Sequence, residues 1–250
     1  SVTFDGSENM QPDWVWLKSR GSGDHIAYDS VRGTNRRLQP NATDAEVNRS
    51  SDNDELKSFN TDGWTLGTYN SNITGAGSSC VSWNWKAGGS STSTNSDGNI
   101  SGTQSVNQTA GFSITTYTGN GGSNQSLGHG LGATPKVYIC KRRDNTGQWL
   151  VMNTITDGTL DYLFFETSGG KSDSSQTLPT SSLVYLQNGG DANESGGTHV
   201  CYAFAEKQGF SKFGNYVGNG STNGTYVHLG FRPAYVLCKT SSISGEDWIV

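Results

Sequence analysis

Charged side chains are scarce in this chain. Lys, Arg, Asp and Glu supply 16% of its 250 residues, against about 25% in an ordinary soluble domain. The balance is acidic, 17 basic against 22 acidic residues for a net of −5. That excludes the basic face with which a protein tracks a phosphate backbone, so no nucleic acid is expected as a partner. No apolar run approaches the ~18 residues that cross a bilayer, and no membrane insertion is expected. The 34 glycines follow no three-residue period, which excludes a collagen helix. The start carries no basic stretch followed by an apolar core, so it does not read as a signal peptide. The first residue is Ser1, and the last three, Trp248-Ile249-Val250, fall inside what reads as a strand. The expectation is a segment of a longer polypeptide.

What the chain does hold is turn-forming and aromatic residues. Gly, Ser, Thr and Asn make up 114 of the 250 positions, and 26 more are Trp, Tyr or Phe. A chain this polar invites comparison with disordered segments, but those are poor in aromatic residues. Turn-rich, aromatic-rich and poor in charge describes an all-β protein. Helix is confined to the Gly- and Pro-free stretch 41–62, where 44–47 and 54–59 could each form a helical turn or two.

The chain repeats itself. GFSITTYTGNG at 111–121 is echoed by GFSKFGNYVGNG at 209–220. Each is followed by a His- and Gly-containing stretch, a proline (Pro135, Pro233) and a strand ending in lysine (Lys141, Lys239). A third relative, with Pro12 and Lys18, lies 123 positions upstream of Lys141. A short polar loop and a second strand follow each lysine, which makes the unit a β-hairpin. Val81-Ser82-Trp83-Asn84-Trp85 aligns with Val200-Cys201-Tyr202-Ala203-Phe204 at an offset of 119. Their alternation reads as a strand that packs its large side chains on one face. The expected fold is all-β: tandem antiparallel β-sandwich modules of lectin-like jelly-roll type, with little helix. The divisions are a first repeat at 1–87, a Gly/Ser/Thr-rich connector at 88–110 and a second repeat at 111–208. Residues 209–250 begin a third repeat, or complete the second.

No catalytic signature emerges. There is no GxSxG elbow, HExxH, P-loop or dinucleotide-type glycine pattern. His129 and His228 occupy corresponding sites of the repeat, which suits a structural role, and no pair of histidines has metal-ligand spacing. Acids are not paired across a strand as glycoside hydrolysis requires. No enzyme activity is expected. Cofactors are expected to be none, with calcium as the one alternative, on the oxygen ligands Asp52, Asp54 and Glu55. The same residues also read as solvated loop charge. Cys80, Cys140, Cys201 and Cys238 read as buried thiols; a disulfide framework stays open because sequence alone cannot pair them. Carbohydrate recognition would draw on aromatic rings near loop tips beside amides and carboxylates. The candidates are Trp64 with Asp62, Trp149 with Asp144, and Trp248, though core packing is the favoured reading of each tryptophan. Pro12, Pro135, Pro233, Lys18, Lys141, Lys239, Asn120 and Asn219 mark the repeat as scaffold.

Taken together, PDWVWLKSRG, SFNTDGWTLG, VSWNWKAGG, GFSITTYTGNG, AEKQGFSKFG and GFRPAYVLCK resemble a repeat domain of large structural proteins of marine tailed phages. That domain's sandwich is similar to the laminin-G and concanavalin A-like lectin group. The resemblance implies a virion surface protein such as a tail fibre, spike or capsid decoration. Its expected partners are other virion proteins, further copies of itself (a homo-oligomer such as a trimer) and a host-surface glycan. It transfers no catalytic residue. A secreted or cell-surface bacterial adhesin with a carbohydrate-binding module is the alternative.

Overall fold

In the computed structural model, residues 1–49, 55–67, 73 and 79–250 are described. Among them the chain is all-β, without helix. The first 85 residues hold β1 (Trp14–Ser19), β2 (Ile26–Asp29), β3 (Arg36–Arg37), β4 (Val47–Asn48), β5 (Leu56–Phe59), β6 (Trp64–Leu66) and β7 (Cys80–Trp85). Next come β8 (Ser93–Asn95), β9 (Gly102–Asn107), β10 (Phe112–Thr118), β11 (Ser126–Gly128), β12 (Val137–Arg142) and β13 (Trp149–Asn153). The last are β14 (Asp161–Phe164), β15 (Ser172–Asp173), β16 (Leu183–Tyr185) and β17 (Thr198–Phe204). The region expected to turn into helix is extended instead: 56–59 is β5, paired with β6 through a bulge, and 47–48 is β4. Leu56 at the start of β5 is fully buried against Val15, Ile26, Tyr28 and Trp64, and that contact overrides a weak local helix preference.

Two sheets form the body, a three-stranded one in the order β2-β1-β7 and an eight-stranded one in the order β15-β14-β13-β12-β17-β10-β9-β8. Every paired strand in them is antiparallel. The triplet β13-β12-β17 repeats β2-β1-β7 in order, polarity and register. Trp14, Trp16 and Lys18 face Trp85, Trp83 and Val81, as Val137, Ile139 and Lys141 face Phe204, Tyr202 and Val200. The hydrogen bonds at the strand ends recur too. Arg20 N donates to Ser79 O and Arg143 N to Thr198 O, while Asp13 N donates to Trp85 O and Lys136 N to Phe204 O.

These two triplets do not fold as separate beads. Trp14, Trp16, Trp83 and Trp85 pack against Phe112, Ile139, Trp149, Val200 and Tyr202 in one shared core. Its centre is the Trp14–Tyr202 stack, with ring centroids 4.5 Å apart. Each triplet then has a second core on its outer face: Val15, Leu17, Ile26 and Tyr28 on one side, Tyr138, Cys140, Leu150 and Met152 on the other. Strands buried on both faces lose the apolar/polar alternation, which is why WVWL and YIC read as continuous apolar runs.

The 88–110 stretch, expected as a connector, supplies β8 and β9, which extend the large sheet beyond β10. It lacks aromatics because it lies at a sheet edge with one face in solvent, where Thr and Ser suffice. Gly111 makes the turn from β9 into β10. Its φ is +70°, and a Cβ there would lie 2.3 Å from Ala205 O, so only glycine fits. Residues 209–250 form no strand, only the bridges Lys207–Ser211 and Cys238–Ile249. Cys238 and Ile249 exchange both backbone hydrogen bonds (2.9 and 3.0 Å), and they align with Cys140 and Leu150, which pair across β12 and β13.

Candidate functional site

The residues that mark the repeat turn out to hold turns. Lys18 Nζ donates to the carbonyls of Ser19 and Gly21, Lys141 Nζ to Gly147 (2.8 Å) and Thr43 (3.2 Å), and Lys239 Nζ to Glu246. In every copy, then, the recurring lysine bonds a carbonyl of the loop that follows it. Lys141 is completely buried, and desolvation pulls its pKa down to about 8. Asn120 Oδ1 accepts from Gly122 N and Asn219 Oδ1 from Ser221 N, the same side-chain turn two residues on. Pro12 and Pro135 are buried and Pro233 is exposed, each just ahead of its hairpin.

The tryptophans expected to offer sugar platforms are corrected by their burial. Trp149 is fully buried in the shared core, its Nε1 donating to Gln39 O at 2.8 Å. Trp64 is 6% exposed, with Nε1 on Asn84 Oδ1 at 3.0 Å. Neither has a free ring face. Trp248 is half-buried against Phe165 (4.8 Å) and donates to Phe164 O. Asp62 accepts from Met10 N, and Asp144 accepts from Arg142 Nε at 2.9 Å. That arginine holds the Asp144 carboxyl below its usual range. Trp149 and Trp248 meet on Phe165 in the shared core, while Trp64 packs in the other core of the first triplet.

The calcium reading also changes. Asp52 and Asp54 lie outside the described residues. Glu55 is 1% exposed, and it accepts from the Tyr28 hydroxyl and from Arg37 at 3.1 Å while lying 3.6 Å from Arg49. Its oxygens are committed to cations the chain already carries, which leaves it a poor calcium ligand. All four cysteines are free thiols. Cys140 and Cys201 face each other across β12 and β17, buried, and Cys80 is exposed.

Two charged constellations were not legible in the sequence. At the first, Glu46 accepts from Arg32 (3.0 Å), Arg36 (3.4 Å) and both fork nitrogens of Arg143 (2.9 and 3.0 Å). Arg32 also holds Asp29, which accepts from the Tyr202 hydroxyl at 2.6 Å and from the backbone N–H groups of Val31 and Arg32. Burial raises the Glu46 pKa, but the bonds from Arg143 and the Arg32 charge outweigh it, and the net shift is downward. Burial likewise pushes the Tyr202 hydroxyl well up. The network bolts the first 49 residues to the large sheet. At the second, Asp157, Asp161 and Asp173 converge within 4.8 Å, and Lys171 Nζ reaches all three at 2.8, 2.9 and 2.7 Å. The lysine supplies the positive charge, and hydrogen bonds to the three acids raise its pKa. Charges scattered over 97 positions, as Glu46 and Arg143 are, leave no local motif to read.

Among the described residues a hydroxyl-lined groove opens over β8, β9, β10 and the start of β17. Thr94, Thr103 and Thr116 stand side by side across three strands, and Thr118 faces Thr198. Arg143 closes one end. Cross-strand threonine pairs are regular strand partners, and here they present a row of hydroxyls, with Arg143 at one end bonded to Glu46.

Residues 3–250 match the family model described as Domain of unknown function (DUF7483). The chain belongs to that family. No curated protein and no solved structure matches it. For a DUF7483 chain, function is therefore argued from the packing, the groove and the sheet edges.

Proposed function

We propose that this chain is a non-enzymatic structural protein of a tailed-phage particle: a tail fibre, spike or capsid decoration. It sits at the virion surface in a homo-oligomer with other virion proteins and adheres to a host-surface glycan. One observation carries the reading. The side chains that recur between repeats, the turn-holding lysines and the aromatic strand positions, are spent on packing and turn closure. Scaffold built by repetition suits a large extended assembly better than a single reaction centre. The adhesive part moves from the tryptophans to the threonine groove, whose hydroxyls and Arg143 can exchange hydrogen bonds with sugar hydroxyls.

Peptide mass spectrometry of purified particles tests the first half: these peptides should appear in intact virions, and their absence overturns it. A glycan array tests the second. The folded chain should bind a surface glycan, and a Thr103→Val, Thr116→Val double variant should lose at least tenfold in affinity. A folded chain that binds nothing overturns the adhesive half and leaves the scaffold.

A further inference from the structure

Strand β7 lies at the edge of its sheet. Among the described residues it pairs only with β1. Its counterpart β17 is paired on both sides, with β12 and with β10. The two triplets share one hydrogen-bond frame, so the outer edge of β7 presents Cys80, Ser82 and Asn84 where β17 presents His199, Cys201 and Ala203 to β10. An open edge of this kind is a template for another strand.

The chain also carries a second strand of the β10 type. Gly209-Phe210-Ser211 repeats Gly111-Phe112-Ser113, and Gly209 has φ +77° beside +70° for Gly111. Yet 212–217 pairs with nothing as a strand. Phe112 is 2% exposed in the shared core, whereas Phe210 is 63%, Tyr216 57% and Val217 85% exposed. In its own chain the segment bonds elsewhere: Phe213 N donates to Glu206, Asn215 donates to Thr156 O, and the Phe213 ring packs by Phe204, while from the C-terminal stretch it is the Tyr235 ring that meets the faces of Trp83 and Trp85.

We propose that the free edge of β7 is completed by residues 209–217 of a second copy of this chain, added as an antiparallel strand. The register follows from β10 on β17. Phe210 lies opposite Trp85, as Phe112 lies opposite Phe204, and Phe213 opposite Ser82, as Thr115 opposite Cys201. Phe210 thereby leaves solvent for the rim of the shared core. The segment has one residue more than 111–117 before its tyrosine. A bulge absorbs it and sets both Asn215 and Tyr216 against Cys80. Main-chain bonds along the edge give affinity, and the phenylalanine positions give register. Because each copy carries both an edge and a strand, one contact type serves every copy in a ring or filament. The inference deepens the assembly half of the proposed function and rests on it only for the presence of a second copy.

Cys80 is exposed and provides the probe. Directly opposed residues of an antiparallel pair have Cα atoms about 5.5 Å apart or less, within the range a disulfide spans. Asn215→Cys and Tyr216→Cys, made singly and oxidised with glutathione disulfide, should give chains joined through Cys80, read on a non-reducing gel and by peptide mass spectrometry. Adding Cys80→Ser should abolish the link. Lys212→Cys stands three residues off register, roughly 10 Å along the strand, and should link at least tenfold less. A disulfide closed within one chain makes the occupant the chain's own segment and overturns the proposal, as does equal linking by Lys212→Cys. In the unmodified chain, amide exchange at Ser82 and Asn84 should slow at least tenfold as concentration rises into the oligomeric range. Exchange independent of concentration overturns it too. Neither measurement involves a virion or a glycan, so absence from particles and absence of edge pairing are separate results.

Discussion

Replacing Glu46 with glutamine keeps the shape of the side chain and removes the one negative charge that Arg32, Arg36 and Arg143 share. The glutamate side chain is 6% exposed and that of Arg32 is 0% exposed. Removing one partner of a buried ion pair costs about 3–5 kcal/mol, because the other charge stays behind unpaired. Arg32 keeps Asp29, and Arg36, with 40% of its side chain exposed, contributes little through solvent. The net expectation is a loss of about 2–3 kcal/mol, read in urea unfolding at pH 7. In a chain of this length that lowers the melting temperature by about 5–10 °C. The pH dependence carries a second check. The folded-state pKa of Glu46 lies below its ordinary 4.5, so its contribution is fully present above that value and disappears as pH falls through the folded pKa. The gap between wild type and Glu46→Gln should therefore close in acid. Because Glu46 and Arg143 share two bonds, a double-mutant cycle with Arg143→Gln should return about 1–3 kcal/mol of coupling. A loss under 0.5 kcal/mol, or a gap that persists unchanged at pH 3, would refute the argument that this network bolts the two sheets together.

Lys141 gives a pH effect of the same sign in the alkaline range. Burial holds its pKa at about 8 against an ordinary 10.5, so the unfolded chain binds the extra proton and stability rises across that interval, by roughly 3 kcal/mol; Lys141→Met should flatten the rise between pH 8 and 10.5. Trp149→Ala should cost about 3–5 kcal/mol through the cavity it opens, and Trp248→Ala, at a half-exposed site, under half of that; equal effects in calorimetry would contradict the packing described here. A thiol reagent should modify Cys80 in the native protein, whereas Cys140 and Cys201, 0% and 2% exposed, should react only on unfolding. Prompt modification of either buried thiol would mean that the core opens.

The all-β class, the recurring hairpins and the turn chemistry were all legible in the sequence, because alternation, glycine placement and loop composition are local properties. Repetition extended that reach: Lys18, Lys141 and Lys239 align in the sequence and hold equivalent turn carbonyls in the structure. What alternation cannot show is where each face goes when both faces of a strand are buried. Trp149 and Trp64 sit beside polar turns, so local reading favoured core but kept sugar binding beside it, and only the sheet packed above each one decided the matter. For the same reason 93–107 read as a connector, since an edge strand needs little apolar content and reveals itself only through the partner it joins. Glu55 resembled a metal ligand until the arginines across the fold took its oxygens. Sequence by itself determined the all-β class and the recurring strand motifs; tertiary structure alone decided that the strands carrying those motifs close face to face on Trp14 and Tyr202, since that contact joins residues 188 positions apart, whose pairing no local pattern encodes.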